Sequence, residues 1–172
     1  MDGSIQVYYG NGRGKTTAAL GLGIRAAGVG KQVIMVQFLK KKHSDTLDFL
    51  KKLEPELQIF RFEKAACGYS DLSPKEKQEQ MLNIKNALGY SRKVLDTGQC
   101  DLLILDEIFG LVDYNIITIE ELMDLIAVKK DSMDLILTGR NLPDEVREIA
   151  DCVYSILREK EKTPEILAQG NF

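Results

Sequence analysis

The stretch Tyr8-Tyr9-Gly10-Asn11-Gly12-Arg13-Gly14-Lys15-Thr16-Thr17 constrains this chain more than any other, because it joins an apolar run at 5–9 to a helical pattern through a glycine-rich turn. Glycines at alternate positions open backbone conformations closed to other residues, so successive N–H groups can point at one anionic oxygen after another. The positive end of the following helix adds to that field. Lys15 supplies a mobile point charge for outer phosphates, and the Thr16 hydroxyl is placed to ligate a magnesium ion bridging phosphate oxygens. Gly10, Asn11, Gly12, Arg13, Gly14, Lys15, Thr16 and Thr17 are therefore candidate nucleotide-binding residues. The pattern G-x-x-x-x-G-K-[S/T] is not fully met. Gly14-Lys15-Thr16 fixes the frame, which asks for glycine at position 9, where Tyr9 stands, and Gly10 comes one place late.

The rest of the chain alternates strand and helix patterns. Residues 17–27 carry Ala18, Leu20, Leu22, Ile24 and Ala26 among small residues, a tightly packed helix that Gly28 and Gly30 end. Arg25, its one charge, reads as a solvated side chain or as a phosphate contact. Residues 32–38 form an apolar run of strand length, as expected of a parallel strand covered on both faces. Lys40, Lys41, Lys42 and His43 follow at its carboxyl end, where open α/β sheets place their ligands; they read as a solvated basic turn or as the lining of an anion site. His43 is the only histidine, so no mechanism needing two is available. Helical spacing at 45–53 precedes a short strand at 57–62, with Glu63 just past it, and a loop at 64–72. Ser73-Pro74-Lys75-Glu76 is a capping box opening a long helix to about Asp96, weakened around Gly89.

Asp101-Leu102-Leu103-Ile104-Leu105-Asp106-Glu107 is an apolar strand ending in two acids, the Walker B arrangement when a phosphate-binding loop accompanies it. One carboxylate, Asp106 or Glu107, can hold magnesium, and the next can orient or deprotonate a reactant. Thr118-Ile119-Glu120-Glu121 opens a helix through Val128, 133–138 is a strand with Arg140 in its ligand-side turn, 143–150 is helical and 152–157 is a last strand. The charged segment 158–172 reads as a loosely packed tail.

These patterns predict one domain over 1–172, an α/β fold of the P-loop NTPase (RecA-like) kind, with a mostly parallel sheet in three α/β/α layers. A net charge of −3 argues against nucleic acid as the main partner. No apolar run approaches the roughly 18 residues of a membrane span. Cys67, Cys100 and Cys152 fit neither a disulfide framework nor a metal site, so buried thiols in a reducing cytoplasm are expected.

Taken together, Gly10 to Ala19, Arg25-Ala26-Ala27-Gly28, Val36-Gln37-Phe38, Leu105-Asp106-Glu107-Ile108 and Leu137-Thr138-Gly139-Arg140 resemble the ATP:corrinoid adenosyltransferases, also called the cob(I)yrinic acid a,c-diamide adenosyltransferase family. The resemblance runs along nearly the whole chain, and that family also lacks the first Walker glycine. It implies that a Co(I) corrinoid, cob(I)yrinic acid a,c-diamide or cob(I)alamin, attacks the 5′ carbon of ATP and the whole triphosphate leaves. The loop would then grip a leaving group, with ATP lying in it in reversed orientation. Lys15 and the loop amides would stabilise the departing charge, with Glu107 as a second positioning group. Thr16 with Asp106 or Glu107 would hold Mg2+, and Arg13, Arg25 and Arg140 would contact the nucleotide. Phe38 and Tyr69 are the candidate corrinoid contacts. A homodimer and a reductase donor are also implied. Where the family typically carries Gly-Phe-Thr-Trp, this chain has Gly68-Tyr69-Ser70-Asp71, it has no tryptophan, and its tail regains the family pattern only at Ala168-Gln169-Gly170. Two alternatives stay open: a P-loop ATPase or kinase in which Glu107 or Glu63 activates the acceptor, and a non-catalytic paralogue that binds ATP or a corrinoid. No Asn-Lys-x-Asp guanine-reading motif occurs.

Overall fold

The computed structural model describes residues 2–40, 50–62 and 69–160. Lys41, Lys42, His43, Glu63, Cys67, Gly68, most of the helix expected at 45–53, and residues 161–172 of the expected tail lie outside the described residues. A six-stranded sheet runs in the order β3-β2-β4-β5-β1-β6. The strands are β1 (Ile5–Tyr9), β2 (Val33–Gln37), β3 (Leu57–Arg61), β4 (Leu102–Asp106), β5 (Asp134–Gly139) and β6 (Cys152–Ser155). Every pairing is parallel.

The apolar runs read as central strands because both faces are covered. Ile34, Val36, Leu103, Leu105, Leu135 and Leu137 pack on one face against Ile84, Val94 and Leu95 of α2 (Pro74–Thr97) and Leu122, Leu125 and Ile126 of α4 (Ile119–Ala127). The alternate residues Val33, Met35, Leu102, Ile104 and Ile136 meet Ala19 of α1 (Lys15–Ala27) on the other. The small residues of α1 have a local purpose: a Cβ on Gly23 would come 3.1 Å from Ile104 Cδ1, so the helix lies close on the sheet.

Both expected capping boxes are present, at Ser73 with Glu76 and at Thr118 with Glu121. The helix from Pro74 to Thr97 continues through Gly89, since one glycine costs only about 1 kcal/mol and Ala87, Tyr90 and Ser91 on the packed side hold it. Gly89 itself is exposed, with no atom within 4 Å of a would-be Cβ. Gly89→Ala is accordingly expected to stabilise the protein by about 0.5–1 kcal/mol, read as a raised denaturation midpoint. A short helix α3 (Ile108–Asp113), which the sequence patterns did not indicate, follows Glu107 directly, and α5 (Asp144–Ile149) stands within the helix expected at 143–150. One expectation is corrected: Cys152 is exposed, whereas Cys100 is buried and its thiol is pushed up to about 12 by that burial.

The register pairs Gln37 with Asp106 and Tyr9 with Gly139. The carboxyl ends of β1, β2, β4 and β5 therefore share one edge, where polar side chains from distant parts of the sequence meet.

Candidate active site

The loop after β1 is shaped by its neighbours. Tyr9 is still paired with Gly139 on one side and Ser155 on the other, so the strand continues through the position where the motif frame asks for glycine. An extended residue needs no glycine, and the Tyr9 ring finds room under the Arg147 guanidinium, 5.3 Å from its centroid. Hydrogen bonds to Arg147 and then Ser155 hold the Tyr9 phenol below its ordinary pKa. Gly10 makes the turn, at φ 120°, and its N–H donates to the Arg140 carbonyl at 3.0 Å. Gly12 N donates to the Ile156 carbonyl at 2.9 Å, and Arg158 N to Asn11 Oδ1 at 3.1 Å. The chain leaving β6 thus braces the loop from outside. Gly14, at φ 108°, leads into α1.

Lys15 curls back over the loop, its ammonium donating to the carbonyls of Gly10 at 2.7 Å and Gly12 at 2.8 Å. Burial pushes its pKa down, Glu107 opposes that shift, Lys40 and Arg140 add to it, and Asp106 opposes it again. A cleft of about 350 Å³ opens above, lined by the loop from Gly10 to Thr16 with Lys40, Glu107 and Arg140. Its basic side chains suit a polyanion. A separate cleft of about 250 Å³ between α2 and α4, lined by Leu88, Ile117 and Leu125 among others, lies on the helical layer, away from the strand ends.

Asp106 is the hub below the loop and is fully buried. Thr16 Oγ1 lies 2.9 and 3.0 Å from its two carboxylate oxygens, Thr138 Oγ1 donates to Oδ1 at 2.7 Å, and Gln37 Nε2 donates to Oδ2 at 3.0 Å. Arg61 Nε in turn donates to Gln37 Oε1 at 2.7 Å, which fixes the direction of that amide. Thr138 also accepts the Glu107 N–H at 2.8 Å. Glu107 sits in the left-handed region at φ 63°, a costly conformation for a non-glycine residue. That turn starts α3 and leaves the Glu107 side chain in the cleft.

The Thr16–Asp106 pair suits a hard divalent cation, which prefers oxygen ligands. The Thr16 proton is directed at the carboxylate, which leaves a hydroxyl lone pair facing the cleft, and a cation already stands there: Lys40 Nζ lies 3.2 Å from Thr16 Oγ1 and 3.5 Å from Asp106 Oδ2. Among the described residues no three His, Cys, Asp or Glu side chains cluster as metal ligands. A metal held here would need the oxygens of a bound phosphate to complete its shell.

The structure brings together Gly10, Asn11, Gly12, Arg13, Gly14, Lys15, Thr16, Glu107 and Arg140 at the cleft, with Asp106 beneath. It does not bring in three others. Thr17 is exposed on α1 and does not line the cleft. Arg25 is exposed in the last turn of the same helix, some 15 Å along the axis from Lys15 at about 1.5 Å per residue. Phe38 has no accessible surface and packs in the core beside Phe109 and Leu105, so it offers no face to a ligand. Tyr69 is partly buried, 5.2 Å from the Tyr114 ring at 50°, with Lys77 Nζ 5.7 Å from its centroid. Gln37, Thr138 and Arg61 have roles that sequence reading did not assign. The available signal was a lone polar residue at the carboxyl end of an otherwise apolar strand.

Comparison with known proteins agrees with this geometry. The model of the family described as ATP:corrinoid adenosyltransferase BtuR/CobO/CobP matches residues 1–169. The corrinoid adenosyltransferase of Escherichia coli (strain K12) is 31% identical over 154 residues, which span 90% of this chain and 76% of that protein. The corrinoid adenosyltransferase CobA of Salmonella typhimurium (strain LT2) is 30% identical over the same shares of the two chains, 90% and 76%. In fold alone, the KaiC-like protein PH0186 from Pyrococcus horikoshii OT3 superposes with a TM-score of 0.57 at 19% identity, covering 91% of this chain and 72% of that one.

Proposed function

Because the chain belongs to the ATP:corrinoid adenosyltransferase family, we propose that it transfers the 5′-deoxyadenosyl group of ATP to the cobalt of a Co(I) corrinoid and releases triphosphate. The observation that carries this reading is the polar cleft in which the loop and its basic side chains stand over the Thr16–Asp106 pair. The nucleophile comes with the substrate, so the protein needs no nucleophile of its own. Its task is to hold the 5′ carbon in line and to stabilise charge growing on the leaving triphosphate. Loop amides, Lys15, Arg13 and Arg140 supply that stabilisation. Thr16, with Asp106 beneath it, would hold Mg2+, which neutralises phosphate charge when bound. Glu107 orients groups at the rim.

The corrinoid would be cob(I)yrinic acid a,c-diamide or cob(I)alamin. Tyr69 and Tyr114 are the aromatic pair available to its flat face, since Tyr114 is 48% exposed at the end of α3, roughly 10 Å along the helix from Glu107. A homodimer fed by a cytoplasmic reductase completes the reading. No helix among the described residues is long and apolar enough to cross a membrane.

The test is phosphorus NMR of the protein with magnesium ATP, run anaerobically, with and without reduced corrinoid. Triphosphate formed only with the corrinoid, together with loss of the Co(I) absorbance, is the expected result. Orthophosphate formed without corrinoid would replace this reading with an ATPase in which Glu107 activates water.

A further inference from the structure

Buried Asp106 needs a positive neighbour, because its other partners, Thr16, Thr138 and Gln37, are neutral donors. Among the described residues Lys40 is the one cation within ion-pair distance of it, at 3.5 Å. The backbone is bent to put it there. β2 runs extended to Gln37, and Leu39 then enters the left-handed region at φ 55°, turning Lys40 back over the strand ends. This conformation costs a non-glycine residue about 1–2 kcal/mol and persists only where the surroundings impose it. The imposing contact is visible: Leu39 Cδ1 lies where a Cβ on Gly110 would be, 2.7 Å away, so α3 has a glycine there to receive the leucine.

We propose that Lys40 is a counter-ion that holds the metal position beside Asp106, and that the divalent cation enters only with a triphosphate, onto whose oxygens the Lys40 ammonium then moves. A metal ion arriving alone would have to expel the ammonium into a cleft already lined by Arg13, Lys15 and Arg140, where, among the described residues, Glu107 is the one carboxylate besides Asp106 beneath. A triphosphate supplies both a new acceptor and the remaining metal ligands. Lys40 therefore couples the two ligands and keeps adventitious metal off the Thr16–Asp106 pair between turnovers. The proposal rests on the nucleotide-site reading above.

The experiment titrates the full-length chain with Mn2+ by electron paramagnetic resonance, with and without ATP and in the absence of corrinoid. Wild type is expected to bind Mn2+ weakly alone and much more tightly with ATP. Lys40→Met keeps the apolar stem and is expected to bind Mn2+ alone about tenfold more tightly, the scale of one charge-assisted contact, and Mn2+ with ATP more weakly. Lys40→Arg keeps the charge and is expected to exclude Mn2+ as wild type does. Circular dichroism melts of both variants check that each is folded. Unchanged or weaker nucleotide-free Mn2+ binding in Lys40→Met overturns the proposal, as does Lys40→Arg behaving like Lys40→Met. Failure of wild type to bind Mn2+ with ATP at all would sink the nucleotide-site reading and this proposal with it.

Discussion

Lys15→Ala is expected to lower kcat/KM for adenosyl transfer by about 10²–10³-fold, the scale seen when one preorganised stabiliser of transition-state charge is removed. The loss should fall largely on kcat, because charge on the leaving triphosphate grows as its bond to the 5′ carbon breaks. The same side chain carries a pH signature. Burial holds its pKa below the ordinary 10.5, and a bound triphosphate favours the ammonium form and raises it again. Between those two values the free protein has partly lost the proton that the complex keeps. Nucleotide binding in alkaline buffer should therefore take up a proton, read as a calorimetric enthalpy that varies with the ionisation enthalpy of the buffer. The Lys15→Ala protein should show neither the uptake nor its buffer dependence. A variant retaining wild-type kcat would mean that Lys15 is not the group stabilising the leaving charge.

Gly10→Ala is expected to be the most damaging small substitution in the loop. At φ 120° an alanine is strained, and its Cβ would meet the Ile156 carbonyl oxygen at 2.4 Å. That carbonyl belongs to backbone and has no rotamer to escape into, so the end of β6 must move. The bonds from Ile156 N to the Tyr9 carbonyl at 2.7 Å and from Gly12 N to the Ile156 carbonyl at 2.9 Å would go with it. A cost of about 2–4 kcal/mol, lowering Tm by about 5–15 °C, is expected in a thermal melt, along with lost nucleotide affinity. Gly14 provides the contrast. Its φ is also left-handed, at 108°, yet nothing lies within 4 Å of a Cβ there, so Gly14→Ala should cost only the backbone term of about 1–2 kcal/mol. Equal losses at the two positions would show that the contact with Ile156 does not set the requirement at Gly10.

Much of this was legible in the chain. The loop could be read because its chemistry is local: glycines, a lysine and a threonine at fixed spacing act on neighbouring backbone. Asp106 could be read because an apolar strand that ends in an acid is unusual without a cation to face. The capping boxes at Ser73 and Thr118 are closed within four residues, so their signal survives without tertiary context. Arg25 and Phe38 show the limit. They sit inside motifs shared with the family, but a motif gives neither the distance along a helix nor the face of a strand end, and the fold puts one at the far end of α1 and the other in the core. Gly89 leaves its helix unbroken, since the penalty for a glycine in a helix is small beside the packing of the residues around it.

By itself the sequence determined the alternation of strand and helix, the doubly covered parallel sheet, the glycine-rich loop after β1 and the family, because periodicity, spacing and local backbone freedom are properties of short segments. Only the tertiary structure decided which distant side chains meet. Pairing β2 beside β4 sets Gln37 against Asp106, β5 lies between β4 and β1 so that Thr138 links them, and the bend at Leu39 delivers Lys40 to the same carboxylate. The physical reason is that a buried charge must be neutralised and hydrogen-bonded wherever it is placed, and strand order, which no short segment encodes, settles which residues are near enough to do it.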